Sequence, residues 1–268
     1  MTFLFVILFV ISMGVLLFEL TLTRIFSIVL WYDYAFMAIS VAFFGLGIGA
    51  LLVHILKGRL MPDRFLTYIF QYTVAFGISI PIFLLLIGHV PPSTSYLYVF
   101  YVISSIPFFF AGISMALIYL AMPREISKLY FVDLIGAAAA TLLLDTLMKT
   151  VGAESVLIVI DLLVIGPSLI ATLSFSLSEN KKVVNNQLMI ENKTKICALI
   201  AFAFSVILLS LNIGFNIVAI QPGEVKGLHY QLTNPSAFKH LSTQWNSFSR
   251  IDVTKQIQYQ NNNNNTDK

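Results

Sequence analysis

Seven apolar runs, each close to twenty residues long, dominate this sequence: about 3–23, 36–56, 67–88, 97–121, 129–148, 155–177 and 196–220. Coiled at about 1.5 Å per residue, a run of roughly 20 residues crosses the hydrocarbon layer of a bilayer. Lipid offers the backbone no hydrogen-bond partners, so a continuous apolar run of this kind crosses as a helix. The composition agrees, since 58% of the 268 residues are hydrophobic and only 11% are charged, well outside the range of soluble domains. The expectation is an all-α, polytopic transmembrane helix bundle of about seven spans, with a short polar C-terminal tail. Such a chain is integral to the cell membrane, and its first partner is the lipid bilayer.

The first run, MTFLFVILFV, has no basic residues ahead of it and no small-residue cleavage site after it, so it reads as a span rather than a cleaved leader. A single cysteine, Cys197, excludes an internal disulfide and a cysteine metal cluster. The net charge of +3 resides in loops and bears on topology rather than on nucleic acid. The second, fourth and sixth loops hold nine basic residues: Lys57, Arg59, Arg64, Arg124, Lys128, Lys181, Lys182, Lys193 and Lys195. The intervening loops hold only Arg24 and Lys149. The positive-inside rule then puts the N-terminus in the cytoplasm and, with seven spans, the tail outside.

Four ionisable residues stand at membrane depth, where an unpaired charge costs at least about 2.5 kcal/mol. Glu19 and Arg24 lie at the end of the first run, with Arg24 expected just past a helix end at Thr23. A five-residue spacing turns them about 140° apart on a helix, so they are a poor pair for each other. They either join a buried polar network or separate, with Arg24 snorkelling to the interface. Asp133 begins a series at every fourth position with Ala137, Thr141 and Asp145, and it should face protein. Asp161 is the third carboxylate in the apolar segments. Glu19, Arg24, Asp133 and Asp161 are the candidate inner polar network, while Asp145 and Lys149, four apart, read as an interfacial ion pair. Ala38, Ala42, Gly45 and Gly49 make a small-residue stripe for close helix packing, and Gly136 with Ala140 makes a second.

After the last span the chain changes character. Residues 221–253 form a polar tail, and 254–268 are a low-complexity end containing NNNNNTDK, expected to be disordered. Residues 1–220 are the bundle.

Read together, FELTLTRIFSIVLWYDYAF, GLGIGALL, YFVDLIGAAAATLL and the tail motif WNSFSRIDV are similar to the membrane domain that precedes the catalytic domain in prokaryotic spermidine-synthase-like proteins. The resemblance runs from Leu4 to Val253, and it implies that Trp245 to Val253 stand where a soluble aminopropyltransferase-type domain starts with a first strand. In that family the soluble domain carries a glycine-rich loop for a decarboxylated S-adenosylmethionine nucleotide, together with acidic residues that hold a polyamine. No such loop follows Val253, so the expectation is the membrane part alone, without a cofactor of its own.

The residues themselves contain no HExxH, GxSxG or GxxxxGK[ST] pattern. His54, His89, His229 and His240 are scattered singly, which gives no expected metal site. Three functions remain open. The chain is a noncatalytic membrane domain that anchors or supplies an aminopropyltransferase-type domain, a transporter of small cations or polyamines, or a structural bundle. Its expected partners beyond lipid are that soluble domain and a polyamine.

Overall fold

The first helix, α1 (Thr2–Val29), is the axis of the bundle, and most of its side chains are buried from Leu4 to Leu30. It passes the expected end at Thr23 and carries Arg24 inside the helix. Arginine is a good helix former, and Ile25 and Phe26 just beyond it are fully buried at 0% exposure, so packing carries the helix on for another turn and a half. In this computed structural model the chain is described over residues 2–30, 32–60, 65–91, 93–177, 192–215, 217–218, 220–223, 226–246 and 249–257. A 3₁₀ turn at Tyr32–Phe36 leads into α2 (Met37–Leu60), followed by α3 (Phe65–Ile87) and α4 (Leu97–Ala121). Pro81 and Pro107 lie inside α3 and α4.

The fifth element, α5 (Ile126–Leu177), is 52 residues long and broken at Gly152, where φ is 77° and ψ is 162°. The break is a reversal. Gly136 packs against Phe9, Ser12 and Met13 of α1, while Ile160 and Val164 pack against Gly14 of the same helix. In a straight helix, residues 136 and 160 would stand roughly 36 Å apart, whereas here they meet adjacent turns of α1. The element is therefore a helical hairpin that passes the membrane twice, with arms 126–151 and 153–177. Six helices among the described residues are long and apolar enough to cross a membrane; with the hairpin counted as two passes, the bundle has seven. A positive φ of this size is left-handed backbone that glycine adopts without a steric penalty, which is why the reversal sits at Gly152.

The last span, α6 (Asn192–Phe215), ends earlier than the expected 220. The Asn212 side chain takes the N–H of Val218 at 2.9 Å, a side-chain-to-backbone bond that competes with helix continuation. Beyond it come a short α7 (Gly227–Thr233) and two strands, β1 (Phe238–Trp245) and β2 (Arg250–Gln256). The strands pair antiparallel, with Trp245 opposite Arg250, Thr243 opposite Asp252 and an irregularity between His240 and Ser242. β2 runs three residues past the expected 253 boundary, and residues 258–268 lie outside the described residues. The two strands are the only sheet among the described residues, and the protein is an all-α membrane-embedded bundle with this small appendage.

Candidate functional site

The tail folds onto one end of the bundle through a run of specific contacts. The Gly223 N–H reaches the Ile28 carbonyl at 2.9 Å, and the Lys226 ammonium donates to the Ser27 carbonyl. These bonds fasten the tail to the end of α1. Burial at this contact holds the Lys226 amine below its usual pKa. At the hairpin tip, Trp245 covers the reversal, and a Cβ on Gly152 would stand 3.1 Å from its indole Cδ1. The Glu154 carboxylate, two residues on, accepts the Ile220 N–H at 3.3 Å.

Arg250 and Asp252 hold this junction together. The Arg250 guanidinium grips Asp252 with two bonds, Nε to Oδ2 at 2.8 Å and Nη2 to Oδ1 at 2.9 Å. Its third nitrogen donates to the Ile220 carbonyl at 2.7 Å, and its plane lies 5.9 Å from the Trp245 ring centre. Thr243 donates to Asp252 Oδ1 at 2.5 Å, and His240 Nε2 lies 3.2 Å from the same oxygen. Burial alone would raise the Asp252 pKa, but the Arg250, Thr243 and His240 hydrogen bonds outweigh it and hold the carboxyl below the usual range.

The cluster of threonine, histidine and aspartate is not a nucleophile relay. In a working triad the histidine uses one ring nitrogen for the carboxylate and the other for the hydroxyl. Here Thr243 Oγ1 lies 3.0 Å from His240 Nε2, the same nitrogen that meets Asp252, and the threonine proton already goes to Asp252. The arrangement is a structural lock. Behind it lies a cavity of about 980 Å³, lined by Glu154, Ser155, Asn212, Gln244, Trp245 and Arg250 among others. No group of three or more histidine, cysteine, aspartate or glutamate residues placed to hold a metal occurs among the described residues.

Inside the membrane the polar residues sit in separate places. Asp133 accepts a hydrogen bond from Ser12 of α1 and one from the Tyr119 hydroxyl at 3.3 Å. Asp161 is fully buried at 0% exposure and accepts from Ser205 of α6. Among the described residues the two carboxylates share no partner. Glu19 and Arg24 are both half-buried in α1; Glu19 lies seven residues, about two turns, beyond Ser12 on the same helix face. Asp145 and Lys149 are 2.6 Å apart, with side chains 45% and 57% exposed, an exposed pair of the kind worth little to stability.

The small residues pack where backbones meet. Ala38 and Ala42 are buried. Gly45 and Gly49 lie on the backbone of α4, where a Cβ on Gly45 would come within 2.6 Å of the Ser105 carbonyl. Gly136 rests on α1, and Ala140 is fully buried in the same arm of α5.

Several residues at the centre of this arrangement carry only faint sequence signals. Gly152 stands between two apolar runs and looks like any loop glycine. Ser205 and Asn212 are seven apart, two helical turns, and so share a face of the last apolar run; that spacing was the available sign that α6 turns a polar seam inward. Asn212 Nδ2 donates to Ser155 Oγ at 3.0 Å, which completes the seam. Set against known protein families, curated proteins and solved structures, the chain matches none of them.

Proposed function

We propose that this chain is a noncatalytic membrane domain that carries a soluble aminopropyltransferase-type domain on the face where its tail folds. One observation carries the reading. Over residues 250–254 β2 alternates with its polar residues inward and its apolar residues outward: Arg250, Asp252 and Thr254 are half-buried, while Ile251 and Val253 are 52% and 47% exposed; Lys255 and Gln256 beyond them are exposed. Leu241 of β1 and Ile257 just beyond β2 are exposed as well. Sheets ordinarily bury the apolar face and wet the polar one, and a two-stranded sheet is marginal on its own. The hairpin thus offers a short apolar strip, Ile251 and Val253 opposite Gln244 and Ser242, and strand edges to a further sheet, the geometry of strand addition. The kind of domain comes from the resemblance, in which WNSFSRIDV stands where an aminopropyltransferase-type domain begins.

Lys57 near the end of α2, Arg124 and Lys128 at the junction of α4 and α5, and Lys195 at the start of α6 lie at the helix ends away from the tail, and the positive-inside bias supports a non-cytoplasmic location for the tail. A cysteine placed by Ser242→Cys in a Cys197→Ser background should react with a membrane-impermeant maleimide in intact cells.

The docking itself is tested by a photo-crosslinking residue at position 251 in the full chain in its native membrane. The expected adduct is a polypeptide that turns over decarboxylated S-adenosylmethionine, and Val253→Asp should remove it. Adducts with lipid alone, or with a second copy of this chain, would overturn the reading.

A further inference from the structure

A groove runs along the lipid side of α3 and α6 and encloses about 560 Å³, within the roughly 300–1,000 Å³ typical of small-molecule sites. Along α6 its lining runs from Cys197 at one end to Phe204 and Ser205 at the other, and Pro81 and Ile82 of α3 face them. Ile82, Ile200 and Phe204 are exposed, so the groove opens toward the acyl chains. It is apolar except at the Ser205 end.

At that end hydrogen-bond acceptors collect without a donor. Ser205 directs its one proton to Asp161 Oδ2, so its oxygen has only lone pairs left to offer. Asp161 is fully buried, and its Oδ1 has no hydrogen-bond partner among the described residues. That oxygen points at Gly77, standing 2.8 Å from where a Cβ would be. Ser205, which lines the groove, and the Asp161 carboxylate directly behind it are therefore two acceptors from two helices at one end of an apolar slot. A carboxylate next to a neutral acceptor favours a cationic donor, because charge-assisted hydrogen bonds are the stronger kind.

We propose that the α3–α6 groove binds a membrane-dissolved amphiphile, with an apolar chain along the groove and an ammonium head at the Ser205–Asp161 pair. This site lies in the spans, away from the tail, and stands or falls independently of the soluble partner. Cys197, the only cysteine of the chain, lies in the groove and reports its occupancy.

The test uses the full chain in lipid nanodiscs and follows the rate of Cys197 alkylation by N-ethylmaleimide with dodecylammonium, dodecanol or dodecanoate added at equal membrane mole fraction. Dodecylammonium should slow alkylation by about tenfold more than dodecanoate does, the ratio of one charge-assisted hydrogen bond. Ser205→Ala should shrink that ratio, and Asp161→Asn should erase the preference of the amine over the alcohol. A reporter at an unrelated lipid-facing position, Tyr98→Cys in Cys197→Ser, should be indifferent to all three; Tyr98 is 84% exposed. Should Asp161→Asn not elute as a folded species, the Ser205→Ala ratio decides. Equal protection by dodecanoate, equal slowing at position 98, or amine protection unchanged in Ser205→Ala would overturn the proposal.

Discussion

Two helix pairs in this bundle are joined by opposite means. α2 and α4 run parallel and meet backbone to backbone: Gly45 lies against Ser105 and Phe108, Gly49 against Phe109 and Ile113, and Gly112 against Leu46. The second arm of α5 and α6 meet instead through side chains, Ser155 with Asn212 and Asp161 with Ser205. Lipid tails are as apolar as leucine, so neither pair has a hydrophobic drive to associate. One relies on close van der Waals contact and the other on hydrogen bonds, and each fails differently. Backbone contact leaves no room for anything else. A polar seam tolerates a looser fit, and the α3–α6 groove lies along it.

The sharpest way to break this contrast is to add side chains to the glycine contact. A Cβ on Gly112 would stand 2.5 Å from the Leu46 carbonyl, and backbone cannot yield as a side-chain end can. Gly112→Val should lower stability by about 3 kcal/mol, read from the unfolding midpoint in mixed micelles, while Gly47→Leu, with nothing within 4 Å of its Cβ position, should stay within about 0.5 kcal/mol of the parent.

Next in size is the hairpin tip beside the seam. Gly152→Ala puts a side chain on left-handed backbone and against Trp245, and should cost about 1–2 kcal/mol while shifting Trp245 fluorescence in a Trp31→Phe background.

Removing the seam one bond at a time should do less. A double-mutant cycle of Ser155→Ala and Asn212→Ala should return a coupling of about 0.6 kcal/mol, the mean for such pairs in membranes. A coupling near that of the glycine substitution would mean the seam, not the close contact, holds the bundle.

The smallest effect is acid release of the tail. Asp252 is held below its ordinary pKa of about 4, so its contribution is complete above that value and fades as the pH falls through the lowered, folded-state pKa. Protection of the β1 and β2 amides, measured as hydrogen exchange relative to the intrinsic rate at each pH, should fall there, and Asp252→Asn should make that protection independent of pH over the same window.

Much of the fold was legible in the residues, and the reasons are local. The runs at 67–88 and 97–121 correspond closely to α3 and α4 because a long apolar stretch in lipid has helix as its only open form. Arg24 was misplaced at a helix end, since charge marks a boundary only where packing does not continue past it. The candidate site was less legible. Trp245, Arg250 and Asp252 lie in a motif that the sequence singles out, but their partners Gly152, Glu154 and Ile220 are far away along the chain. The serine hydroxyls that meet Asp133 and Asp161 come from Ser12 and Ser205, 121 and 44 residues distant, and serine is too common for position alone to mark them.

Length, hydropathy and the spacing of small residues were enough to establish a helical bundle in a bilayer, because each depends on neighbours within a turn or two. The reversal at Gly152, the pairing of Asp133 and Asp161 with serine hydroxyls and the outward turn of Ile251 and Val253 were decided by the tertiary structure. Those depend on which distant surfaces meet, and contact between distant surfaces is a property of the assembled bundle.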